Sequence, residues 1–274
     1  MRGLLALIVI CAACGPGPRD GLGGDDEVDA DPGPRPDAID DNPIGGEPLV
    51  YAHTSSTLYS IDPDTLAVTA IGPFQWDQGS DEMTDIGIDK SGVMIGISYT
   101  RVYLIDPMTA QATMLSDGLV GEFNGLSFVP AAQIGGNPES DDVLVAIRNA
   151  DGVVFRVDPM TGQTTPIGDM AGGYSSSGDL VGVLDFGVMA TTDAGFSADG
   201  LVRLEPTTFN ATMIGSTGYG DIWGVAFWRD KIYGFTETGN FVLISPTTGA
   251  ATFVSSSGDA WWGAAVTTRA PVVE

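Results

Sequence analysis

The chain has 274 residues, 36 of them acidic and 11 basic, for a formal net charge of −25 at pH 7. A surface this negative excludes nucleic acid and anionic lipid surfaces as partners and suits cationic ones. A lone histidine, His53, and two cysteines, Cys11 and Cys14, leave little room for a His-based metal site or for general-base chemistry of the Ser-His-Asp kind.

Residues 1–13 begin with Arg2, followed by an apolar run over 4–10 and the small residues Ala12 and Ala13 before Cys14. The run is too short to cross a bilayer as a helix. The stretch resembles the signal of bacterial lipoproteins: an aliphatic residue, two small residues, then Cys. Cys11 stands where that signal prefers Leu, and an ordinary secretory signal is the alternative. The resemblance implies that Cys14 becomes the lipidated first residue of a protein held in the cell envelope. Gly15 after it, rather than Asp, implies the outer membrane by the sorting rule of enteric bacteria. No disulfide is then expected, and the membrane is met through the lipid alone.

Residues 14–46 carry 9 acids and 2 Arg among many Pro and Gly, with almost no large apolar residues. Such a segment cannot bury enough surface to offset its ordering entropy, so it reads as a disordered tether. Its Asp-rich stretches lack the spacing and turn Gly of a 12-residue calcium loop. Residues 47–274, with 27 acids and 8 bases, remain for a folded domain of net charge −19.

That domain is organised by five copies of one phrase: IDPDTLAVTAIG, IDPMTAQATMLS, VDPMTGQTTPIG, LEPTTFNATMIG and ISPTTGAATFVS. They start one residue before Asp62, Asp106, Asp158, Glu205 and Ser245, at steps of 44, 52, 47 and 40 residues. Alternating residues precede each phrase, so each reads as a hairpin. Pro presets the turn, and the acid or Ser before it can bond forward to backbone N–H groups. Gly162 and Gly249 occupy a place where positive φ is expected. Pro166 marks the second strand of the hairpin as an edge strand.

Between phrases lie apolar strands with a glycine: Gly87, Gly125, Gly182, Gly224 and Gly263. Glycine in a strand marks close backbone approach, which suits strands crowding a central axis. A further strand follows each of the first four. Four strands at a period of 40 to 50 residues make a propeller blade. The first repeat lacks its glycine strand and the chain finishes with one, WWGAAVTTR. The prediction is an all-β, five-bladed β-propeller closed by the C-terminal strand, residues 261–268, beside the first blade. The repeats resemble the Asp-Pro-x-Thr-Gly propellers of exported bacterial proteins, near the broad YVTN/NHL class. Their resemblance covers residues 48–270 and implies a fold but no active-site residues.

Propeller connectivity gathers the blade-to-blade loops on the face opposite the Asp-Pro turns. Asp81, Glu82, Asp85, Glu122, Asp179, Asp221 and Asp259 are expected to converge there at the channel mouth. Trp76, Tyr174 and Tyr219 stand in the same loops, whereas Trp223, Trp261 and Trp262 read as wedges between blades. Aromatics beside carboxylates suit a glycan or a peptide. The candidate ligand-binding set is therefore Trp76, Tyr174, Tyr219, Glu122, Asp179 and Asp221. Asp179 and Asp221 are also candidate ligands for Ca²⁺, the one cofactor considered. No catalytic residue stands out. The leading function is a monomeric, non-catalytic module that binds a ligand or an envelope partner protein. The alternatives are a polysaccharide hydrolase using Glu122 with Asp179 or Asp221, and a purely structural envelope protein. The insertion 129–142 reads as a plain surface excursion.

Overall fold

The computed structural model describes residues 50–193 and 197–273. The signal, Cys14 and the tether lie outside the described residues. Five antiparallel sheets form five blades. Blade 1 orders its strands Gly263–Ala265, Val50–His53, Thr57–Ile61, Val68–Pro73 from the inside outward, so the two ends of the chain share one sheet. Ala52 pairs with Ala264, and His53 with Gly263. The predicted closure is present, and it removes the open edge that an incomplete first blade would expose.

The other inner strands are Asp85–Ile88, Phe123–Val129, Ser175–Val183 and Ile222–Trp228. Their partners run outward in sequence order, ending in Gln111–Ser116, Thr164–Asp169, Ala211–Ser216 and Ala251–Ser256. Apolar cores lie between blades. Tyr51 and Leu58 of blade 1 pack with Ile86 and Tyr103 of blade 2. Ile95 and Val102 of blade 2 pack with Leu126 and Ala146 of blade 3. Val50 and Ile61 of blade 1 share a core with blades 4 and 5. Each large side chain sealed in this way contributes about 1.5–3 kcal/mol. No blade buries its faces without its neighbours.

The repeated phrase has a local explanation. The carboxylate of Asp62 accepts from the Asp64 and Thr65 amides at 2.8 and 3.1 Å, and Asp158 repeats this with Met160 and Thr161. In every copy the first Thr hydroxyl accepts from the amide two residues on, at 3.3–3.4 Å. The residue after that Thr is left-handed in all five turns: Leu66, Ala110, Gly162, Phe209 and Gly249, with φ between 59° and 77°. Three blades therefore tolerate a side chain where a glycine was expected. Gly162 and Gly249 are constrained further. A Cβ would lie 2.6 Å from the Leu119 amide nitrogen at one and from the Gly215 carbonyl oxygen at the other.

A β-bulge sits at the same place in each blade, leaving Ile71, Leu115, Ile167, Ile214 and Val254 without a partner in the ladder. The apolar residue that ends each phrase is thus the extra residue of a bulge, turned onto the blade cores.

Two segments depart from the expected pattern. Gln75–Trp76 forms a short strand parallel to Gln111–Ser116, so blade 2 has five strands. The 129–142 insertion is no plain excursion. It forms the 3-10 turn Ala131–Ile134, and Gln133 Nε2 donates to the Val183 carbonyl of blade 4 at 2.6 Å. Asp142 accepts from the Lys90 amide of blade 2 and from the Thr268 hydroxyl near the C-terminus. The insertion stitches several elements together.

Candidate functional site

The register of the inner strands defines a tier around the axis. Gly263 pairs with His53, Asp85 with Ile97, Gly125 with Ile147 and Gly224 with Phe235. In blade 4 Asp179 takes this place, one residue before the Leu180–Ala190 pair. Three blades therefore present glycine to the axis and two present aspartate. Gly87 and Gly182, read from sequence as members of the glycine set, lie further along their strands. The space is real: a Cβ on Gly263 would fall 2.4 Å from His53 Nε2 and closer still to Asp85 Oδ1. On Gly224 it would lie 2.6 Å from the Gly263 carbonyl carbon.

Asp85 and Asp179 fill that space and are fully buried. Each carboxyl accepts from the following amide in its own strand, Ile86 at 2.8 Å and Leu180 at 2.6 Å. The other oxygen of each reaches the next blade, accepting from Leu126 at 2.5 Å and Val225 at 2.6 Å. The two carboxyls also interact electrostatically. Burial pushes both well above the usual carboxylate range, and the charge of Asp179 pushes Asp85 further. Buried His53 donates from Nδ1 to the Thr54 carbonyl at 2.9 Å, so its Nε2 carries a lone pair. That atom stands 3.7 Å from Asp85 Oδ1 with no hydrogen-bond partner. Burial lowers the histidine pKa to about 4, so the ring is neutral at pH 7. Carboxyls this enclosed bind no solvent-borne ligand, so they latch the ring together.

The concave site lies beside this tier. A cleft of about 540 Å³ is lined by Glu122, Asn124, Arg148, Asn149, Ser175, Ser176, Ser177, Asp193, Asp199 and Asp221, with Ala150. These residues come from the starts of inner strands, the ends of second strands and the loops beside them, the face expected from connectivity. Arg148 is clamped to Asp151 by two hydrogen bonds, 2.8 and 2.6 Å, and lies over the Phe155 ring. Asp199 accepts from the Ser177 hydroxyl at 2.6 Å and the Ile222 amide at 2.7 Å, and burial pushes its carboxyl up. Two polar atoms in the lining are buried without a partner, Ser176 Oγ and Asn149 Oδ1.

The structure brings Glu122 and Asp221 to the cleft and leaves the other candidates elsewhere. Asp179 is sealed in the tier, with both oxygens engaged. Trp76 belongs to the added strand of blade 2, with its ring 4.8 Å from Tyr103 and 5.5 Å from Phe74. Tyr174 and Tyr219 pack onto inter-blade cores. Asp81 bonds the Tyr103 hydroxyl at 2.6 Å, away from the cleft. Asp259 lines a separate hollow of about 290 Å³ with Trp262 and Thr54. The single acidic ring at the mouth is therefore dispersed, because the loops carry its members to different depths. Among the described residues, no group of three His, Cys, Asp or Glu stands together as a metal site. Trp261 is buried against Tyr59 and Phe235 as a wedge, and Trp223 meets Trp262 edge-on. Asn149, Ser176 and Asp199 escaped the sequence reading because ordinary loop polar residues carry no spacing signal.

No family model matches the chain, and no curated protein does. Among solved structures, a chain of a nidogen/laminin complex superposes with a TM-score of 0.51 at 8% identity, covering 81% of this chain and 99% of that one. A Bacteroides thetaiotaomicron protein of unknown function gives 0.47 at 13% identity, over 77% of this chain and 57% of that one. BamB from Moraxella catarrhalis gives 0.36 at 13% identity, over 74% and 68%. At these identities the likeness concerns the fold alone; this chain's own sheets form a five-bladed β-propeller.

Proposed function

We propose that the chain is a lipid-anchored envelope module that binds a polar ligand, without turnover, in the cleft lined by Glu122, Ser176 and Asp221. The observation that carries this reading is the pair of buried, unpartnered polar atoms in the lining, Ser176 Oγ and Asn149 Oδ1. Buried polar groups without partners are costly, and a ligand that bonds them recovers that cost. The cleft volume lies in the range of small-molecule sites. Anchoring rests on the Cys14 signal.

The alternative of a carboxylate-dependent glycan hydrolase draws on one feature: Asp199, its pKa raised by burial, shares the cleft with Glu122. A carboxyl raised by burial, with a second carboxyl in the same cleft, is the kind of pair such chemistry uses. A glycan, peptide and small-metabolite array, followed by turnover assays on each hit, separates the readings. Saturable binding that Ser176→Val weakens, with no product, is the expected result. Product formation lost in Asp199→Asn would replace binding with hydrolysis. Absence of any binding would leave a structural role.

A further inference from the structure

We infer that the cleft takes a small organic cation, a ligand presenting a primary ammonium or guanidinium group. This rests on the cleft being the ligand site and concerns what fills it.

The orphaned atoms are the first argument. Asn149 Oδ1 is a carbonyl oxygen and can only accept a hydrogen bond. Ser176, 4% exposed, leaves its hydroxyl oxygen unpartnered in the same lining. The Asn149 oxygen requires a donor from the ligand, and the Ser176 oxygen can accept a second one. Ammonium and guanidinium groups carry donors only.

Charge is the second. Glu122 and Asp221 are exposed carboxylates on the cleft wall. Among the described residues the one cation in the lining, Arg148, is held in a bidentate pair with Asp151, so it is compensated from outside the cleft. The field inside is negative, on a domain that is negative overall, and clefts focus such fields. An anionic ligand would be repelled. A neutral sugar would leave the charge of the carboxylates uncompensated, and among the described residues no aromatic side chain lines the cleft as a stacking platform.

Size and ligand geometry are the third. A cleft of about 540 Å³ is many times the ~30 Å³ that one water occupies. A bare divalent ion would need several converging oxygen ligands, and no group of three metal-binding side chains stands together among the described residues. A multi-atom cation fits both facts.

Titration calorimetry on the folded domain at low ionic strength tests this. The probes are agmatine and putrescine, with 1,4-butanediol as the neutral counterpart of putrescine and CaCl₂ at matched ionic strength. Agmatine and putrescine should bind and butanediol should not, with guanidinium preference reporting planar, bidentate recognition. Glu122→Gln and Asp221→Asn should each weaken binding by about tenfold, the scale of one charge-assisted hydrogen bond. Asn suits position 221, whose φ is +54°, so the melting temperature of that variant should hold and fold loss cannot imitate the effect. Displacement of the amines by Ca²⁺ at equal ionic strength would overturn the organic cation in favour of a metal. Binding of a neutral glycan in the cleft, with none of the amines, would overturn the cation and spare the site. Failure of every probe, with Ser176→Val also silent in the array, would remove both.

Discussion

Asp85 and Asp179 hold equivalent places in the axial tier, each fully buried and each accepting from a backbone amide of the next blade, Leu126 and Val225. Burial raises both carboxyls and the charge of Asp179 raises Asp85 further, so the pair is expected to hold a proton between them.

The shared proton makes stability depend on pH. Both carboxyls sit above their unfolded values, so their contribution is fully present below about pH 4 and is lost as pH rises through the folded values. Asp179→Asn should flatten this loss, because an amide donates to Asp85 without needing a proton. It should also lower overall stability by about 1–3 kcal/mol, since one of the Leu180 and Val225 amides loses its acceptor. Denaturant unfolding from pH 5 to 9 measures both. An unchanged pH slope would disprove proton sharing.

His53 acts with the opposite sign. Its pKa falls to about 4 in the fold, so its contribution is present above the unfolded value near 6.5 and is lost as pH falls from there through about 4. The depression corresponds to roughly 3 kcal/mol. His53→Gln should remove that acid-side loss, read as a smaller drop in melting temperature between pH 6.5 and 4.

The axial tier predicts an ordering among glycines. Gly224→Ala would press a Cβ against backbone at 2.6 Å, whereas Gly87→Ala meets nothing nearer than 3.2 Å. The first should destabilise by about 3 kcal/mol or more and the second by under ~1 kcal/mol. Chemical denaturation of the two variants checks the order; equal losses would show that the tier is misplaced.

Closure predicts a global penalty for a local cut. Deleting residues 260–274 removes the inner strand of blade 1, the Trp261 wedge and the Thr268 bond to Asp142. The whole domain should then melt earlier, in one transition. A truncated domain that melts like the full one would refute the closure.

Anchoring is tested at Cys14. Palmitate labelling in a bacterial host should mark the full chain and fail in Cys14→Ala; equal labelling would reject the lipid anchor.

Five copies of one phrase, Asp, Glu or Ser followed by Pro-x-Thr, made the blades, their number and the closing strand legible before any coordinates. Those features rest on local chemistry: a turn carboxylate, a Thr hydroxyl bonding two residues ahead, an apolar residue for a bulge. They recur wherever the phrase recurs. The axis and the cleft were decided by tertiary structure. Asp85 and Asp179 stood in the sequence among seven acids expected at the channel mouth, and only inter-strand register set them apart, in line with Gly125, Gly224 and Gly263. Glu122 and Asp221 reached the cleft, while Trp76 was drawn to the outer edge of blade 2 by an unfilled row of backbone hydrogen bonds. Asn149 and Ser176 became significant only when packing buried their oxygens without supplying a partner. Such burial depends on residues distant in the chain, and no local pattern records it.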